Sequence, residues 1–151
     1  MRITAEQAHT MLGAGDHGVL ATVHRERGVD AVPVVYAAWD GFVGVPIDRV
    51  KPKASTLLQR ERNLRADPRA TLVIEHWDRL DWSALWWVRA NLRFEADPPA
   101  PTETALADRL AATYPQYAEH PFVRVLVLRI TGVTGWSGMS DPGDQTQEKG
   151  R

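Results

Sequence analysis

A chain of 151 residues, with 44% apolar and 25% charged residues and a net charge of −1, has the size and composition of one globular domain. This excludes bulk disorder, and the near-zero charge excludes the broad basic field that gathers nucleic acid or anionic membrane. The absence of cysteine excludes disulfides, thiol nucleophiles and thiolate metal sites. No run approaches about 18 consecutive apolar residues, and the opening MRITAEQAHTMLGAG lacks a signal-peptide core. A soluble, cytoplasmic protein is expected, with neither nucleic acid nor membrane as a partner.

The first predicted element is a short helix from Thr4 to Leu12. Thr4 and Gln7 have capping-box spacing, and Gly13 and Gly15 end it. HGVLATVHR, VDAVPVVYAAW and FVGVPI follow as extended runs separated by the turn signals ERG and DG, which reads as an antiparallel meander. A helix is expected over 52–66, with Pro52 in its first turn, Ala54, Leu57, Leu58 and Leu64 on its apolar arc, and Glu61 spaced to pair with Arg65. DPR stops it.

ATLVIEHW is the next strand. Residues 82–94 alternate strictly, with Trp82, Ala84, Trp86, Val88, Ala90, Leu92 and Phe94 on one face, as a strand with one buried side requires. After the break DPPAP, an amphipathic helix is expected from Thr102, its cap, to Tyr114, with Leu106 and Leu110 one turn apart. FVRVLVLRITGV is the last strand, and SDPGDQTQEKGR reads as a loose tail. The tally is about six strands and three helices in one domain over 1–138, with a tail over 139–151. Short antiparallel strands with a few helices suggest a small closed or nearly closed barrel.

Familiar catalytic arrangements are missing. The histidines His9, His17, His24, His76 and His120 are scattered, with no pair spaced to present two metal ligands on one helix face, so no metal site is expected. GWSG lacks the spacing of a nucleophile elbow, and no Rossmann fingerprint or P-loop is present.

Two features stand out instead. From Arg49 to Arg69 there are seven cations against two acids. RVKPK lies at the expected start of the 52–66 helix, where cations oppose the helix dipole and no Ser, Thr, Asp or Asn caps the free amides. Free amides together with lysines make an anion site suited to phosphate, although a solvated helix face is the plainer alternative. Five of the six tryptophans lie in the second half. Trp87, on the polar face of its strand, points to a subunit interface or a ligand wall. Strands 31–38 and 122–131 are apolar on both faces, so a second subunit is expected to cover the face turned away from the core.

The succession GVLATV, VPVVYAAWDGFVGVPID, KPK, RNLRADPRATLVIEHWD, WSALWWVRA and TGWS resembles the split β-barrel superfamily of pyridoxamine-phosphate-oxidase-like flavoproteins. Within it, the chain is most similar to the branch that uses the deazaflavin coenzyme F420. The resemblance spans residues 5 to about 138 and is carried mainly by VPID…KPK…RNLRADPR and LWWVRA. It implies a mainly β fold, a six-stranded antiparallel split β-barrel forming a homodimer with cofactor sites at the subunit interface.

By the same resemblance, Lys51 and Lys53 bind the cofactor phosphate, Val45, Pro46, Ile47 and Asp48 run along the ring edge through backbone contacts, and Arg60 meets the anionic tail. Trp77, Trp87, Arg89 and Trp136 close the site from the partner subunit. The implied activity is a deazaflavin-dependent oxidoreductase acting on a small electrophilic substrate. The alternatives are an FMN-dependent enzyme of the same barrel and a non-catalytic cofactor-binding protein. No catalytic side chain is assigned; water or a hydroxyl such as that of Tyr36 would supply the proton.

Overall fold

The alternation between Trp86 and Glu95 sets the pattern of the whole sheet. Val88, Ala90, Leu92 and Phe94 are buried, while Trp87, Arg89, Asn91 and Arg93 face out. The structure, a computed structural model, describes residues 1–49 and 58–139. Helix α1 (Ala5–Ala14) leads into β1 (His17–His24), β2 (Gly28–Val35), β3 (Ala37–Trp39) and β4 (Phe42–Asp48). Then come α2 (Gln59–Ala66), β5 (Arg69–His76), β6 (Trp86–Glu95), α3 (Ala100–Thr113) and β7 (Phe122–Ser137). All strands join one antiparallel sheet in the order β2-β1-β5-β6-β7-β4-β3. Among the described residues, no helix is long and apolar enough to cross a membrane.

Seven strands replace the six expected, and Tyr36 is the reason. Its backbone N–H donates to the Asp16 carbonyl and its hydroxyl donates to the Leu12 carbonyl at 2.5 Å. These bonds take Tyr36 out of the ladder and divide the run 29–39 into β2 and β3. The two halves lie at opposite edges of the sheet, although only Tyr36 separates them in the chain. A flat seven-stranded sheet would hold its edges roughly 29 Å apart, whereas the link from Val35 to Ala37 reaches only about 7 Å. The sheet therefore curls until its edges approach one another. No ladder joins β2 to β3 among the described residues, so the curl is open along this seam rather than a closed barrel. Tyr36→Phe removes a buried hydrogen bond and is expected to lower stability by about 1 kcal/mol in urea unfolding.

The turns follow local chemistry. Asp40 (φ 49°) and Gly41 (φ 80°) form the two-residue hairpin between β3 and β4, where a left-handed backbone matches strand twist. Thr4 and Gln7 form the expected capping box on α1. The strand expected from Trp82 starts instead at Trp86. The Asp81 carboxylate accepts from the Ser83 N–H at 3.0 Å and from its hydroxyl at 2.5 Å, which turns residues 82–84 into a single 3-10 turn.

Helix α3 begins at Ala100, with Pro99 as its cap and Pro101 in its first turn. Thr102 therefore lies buried inside the helix and does not cap it.

The core has two parts. Leu20, Val43, Ile47, Leu72, Val88 and Leu128 fill the inside of the curl together with Leu12 of α1 and Leu64 of α2. On the outside, Leu106 and Leu110 of α3 pack with Ala37, Val125, Val127 and Tyr117. Helix α3 thus covers the second apolar face of β7 over this stretch, a role expected of a partner subunit. The outer face of β1 and β2 differs, because Val19 and Val29 remain exposed.

Candidate functional site

Strand β4 is paired on both sides only as far as Gly44. Beyond it, Val45, Pro46, Ile47 and Asp48 pair with Leu126, Val125, Arg124 and Phe122 of β7, while β3 has already ended. Their other edge has no strand partner among the described residues, and Pro46 lies in that stretch, where a strand tolerates proline. A cavity of about 430 Å³ opens here, lined by Val45, Pro46 and Asp48, by His17 and residues 33–35, and by Arg60 and Tyr117. Ile47 is the exception among the four, since it does not line the cavity and lies fully buried in the core, as Val45 also does.

Helix α2 brings Arg60 to this cavity, and its neighbours hold the helix on two sides. Glu61, only 2% exposed, pairs with Arg124 of β7 at 2.5 Å and with Arg65 at 3.2 Å, the spacing anticipated within the helix. Buried Asn63 donates to the Thr22 hydroxyl at 3.0 Å and to Asp30 at 2.9 Å, tying α2 to β1 and β2. Leu64 enters the core, and Arg65 lies over the Phe94 ring at 5.8 Å.

Arg60 itself is part-buried. Its Nε is buried and has no hydrogen-bond partner among the described residues. Burial pulls its pKa below the ordinary arginine value, and the nearby Asp48 and Tyr117 oppose that pull. A buried guanidinium nitrogen without an acceptor is costly, and the side chain that carries it lines the cavity.

The helix expected over 52–66 begins at Gln59. Leu58 is its N-cap, with extended backbone (φ −76°, ψ 157°) and no side-chain capping bond, and it packs against the core. The helix therefore does not start at Pro52. Lys51, Lys53 and the rest of 50–57 lie outside the described residues.

The tryptophans gather elsewhere. Trp77, Trp87 and Trp136 line a second groove of about 540 Å³, with Val73, His76 and Trp86. Trp87 and Trp136 are cross-strand partners, and the Arg89 guanidinium lies over the Trp87 ring at 5.6 Å. Trp136 stands ten residues along β7 from Leu126, the partner of Val45, which is roughly 33 Å of strand. The structure therefore brings together Val45, Pro46, Asp48 and Arg60 in one place and Trp77, Trp87, Arg89 and Trp136 in another. One chain does not unite the two groups.

No family model matches the chain, and no curated protein matches it. Solved structures do. An FAD-binding protein from Mesorhizobium loti is 17% identical with a TM-score of 0.67, covering 89% of this chain and 93% of that one. A heme-binding protein from Mycobacterium smegmatis is 20% identical with a TM-score of 0.66, covering 89% of this chain and 57% of that one. A candidate pyridoxamine 5′-phosphate oxidase from Corynebacterium glutamicum is 14% identical with a TM-score of 0.54, covering 91% of this chain and 98% of that one.

The chain shares its fold with these solved structures. Within this fold, two residues stand apart from their sequence reading. Tyr36 is 1% exposed and its hydroxyl is committed to Leu12, so it cannot serve as a reachable proton donor. Tyr117, which no sequence signal singled out, lines the cavity and donates to Asp48 Oδ2 at 2.6 Å. It arrives there because α3 folds back over β4, and no local pattern announces that contact.

Proposed function

We propose that this protein is an oxidoreductase that binds the phosphorylated deazaflavin coenzyme F420 and acts on a small electrophilic organic substrate. One observation carries the reading: Arg60, whose buried Nε has no partner among the described residues, lines a cavity together with Val45, Pro46 and Asp48 of β4, whose outer edge lacks a strand partner among those residues. Asp48 ends that strand immediately before the basic segment Arg49–Lys53. In this reading, Lys51 and Lys53 hold the coenzyme phosphate, Arg60 takes a further anionic group of the coenzyme, and the Val45–Asp48 backbone borders the ring. The bound deazaflavin supplies the hydride chemistry. The protein's share is orientation and exclusion of water, and Val45 and Pro46 give the cavity an apolar wall.

A homodimer completes the proposal. The exposed face carrying Val19, Val29, Trp87 and Trp136 suits burial against a second copy. That arrangement would bring Trp77, Trp87, Arg89 and Trp136 of one copy to the β4 cavity of the other. It would also reconcile the separation of the two groups within a chain.

The test is a fluorescence titration of the purified protein with oxidised F420 and, in parallel, with FMN. Tight deazaflavin binding with much weaker FMN binding is the expected result. Preference for FMN would replace the coenzyme and keep the site. Binding of neither would refute a cofactor role for the cavity.

A further inference from the structure

The β3–β4 hairpin comes apart part-way along. Its register sets Trp39 opposite Phe42 and Ala37 opposite Gly44. Continued past Tyr36, the same register would set Val35 opposite Pro46 and Pro33 opposite Asp48. Among the described residues no ladder joins β2 to β4, and these residues line the cavity instead, together with Val34 and Val45. The cavity is therefore the unzipped half of a hairpin. Pairing of β2 with β1 does not by itself require this, because a strand can be bonded along both edges. The Tyr36 N–H meets the Asp16 carbonyl in continuation of the β1–β2 register, so the backbone polar groups of Tyr36 and Val34 turn towards β1. Those of Val35 and Pro33 turn the other way, towards β4, by the alternation of an antiparallel ladder.

We propose that Pro33 and Pro46 are positioning residues that stop β2 from zipping onto β4 and so keep the slot between them open to the coenzyme. The inference rests on the reading of this cavity as the coenzyme site, but it gives the two prolines a role of their own. Each of the two pairs that would carry the missing bonds contains one proline. Pro46 has no N–H to give the Val35 carbonyl, and Pro33 has none to give across the slot to Asp48. In each, a ring carbon occupies the place of the donor hydrogen. A closed seam would therefore bury carbonyls without donors, which costs free energy. Edge prolines ordinarily keep a strand from pairing with a neighbouring molecule. Here the two guarded edges face one another across a cavity within one chain. With the seam open, Val35 turns its N–H and carbonyl to the slot, where the edge of a planar ring can meet them.

Pro33→Val, Pro46→Val and the double variant test this, read by amide hydrogen exchange of the ligand-free protein and by titration with F420 and FMN. In the double variant the seam is expected to close, and exchange at the Val35 amide should slow by roughly tenfold or more against the wild type. The amides introduced at positions 33 and 46 should be protected with it. Affinity for the preferred probe should fall by roughly tenfold or more in the same variant. Each single variant restores one donor and should show a smaller change of both kinds, which keeps the test open if the double variant does not fold. A proline that merely lined the cavity would change affinity on replacement and leave exchange at Val35 as in the wild type. Unslowed exchange at Val35 in the variants would overturn the proposal, and so would slowed exchange with unchanged affinity. If the wild-type protein binds neither probe, the coenzyme reading fails, and exchange at Val35 still decides whether the prolines hold the seam open.

Discussion

Arg124→Met is expected to lower the unfolding free energy by about 3 kcal/mol, the toll of breaking a buried ion pair from one side. Glu61 is the reason. Its carboxylate is 2% exposed and takes its shortest bond, 2.5 Å, from Arg124 Nε. Methionine fills the space of the arginine stem but leaves Glu61 with only Arg65, whose side chain is half exposed and whose contacts are longer, at 3.2 and 3.3 Å. Water screens that remaining pair more than it screens the first. Urea unfolding at neutral pH measures the loss, and an unchanged midpoint would show that Arg65 alone suffices. The effect extends to the site, because Arg124 pairs with Ile47 in the ladder and Glu61 adjoins Arg60. The same ion pair that stabilises the fold therefore sets where α2 presents Arg60.

Arg60→Ala is expected to weaken binding of the preferred coenzyme by about 1.5–3 kcal/mol, tenfold or more, as for loss of a hydrogen bond from a charged group. The fold should survive, because among the described residues Arg60 makes no ion pair or hydrogen bond whose loss would strand a partner, and its Nε is unsatisfied there. Arg62→Ala is the matched control. It removes the same charge from the same helix, but Arg62 is exposed and lies outside the cavity, so its affinity should stay near wild type. Equal losses in the two variants would mean that the helix contributes a diffuse positive field rather than a specific contact. Coenzyme titration at two salt concentrations separates these cases, since a diffuse field is screened and a buried contact much less so.

The sequence by itself determined the features that depend on neighbours within about one helical turn or one strand. The Thr4–Gln7 capping box, the Asp40–Gly41 turn, the Glu61–Arg65 pair and the alternation from Trp86 to Phe94 all follow from local backbone sterics and periodicity. Where local signals failed, another local or long-range contact outweighed them. Asp81 turned residues 82–84 away from the strand that their alternation implied, and paired prolines moved the start of α3 ahead of Thr102. Leu58, extended and packed on the core, set the start of α2 against a pattern that ran smoothly from 52 to 66.

Only the tertiary structure decided which distant residues meet. Asp48 and Tyr117 lie 69 positions apart, Glu61 and Arg124 lie 63 apart, and Asn63 and Thr22 lie 41 apart. Each contact depends on the strand order and on α3 folding over β7 and β4, which no window of the sequence encodes. The same order separates the tryptophan groove from the β4 cavity, although the sequence presents their residues as one set of candidates. Composition and periodicity act along the chain, whereas a site is assembled across it.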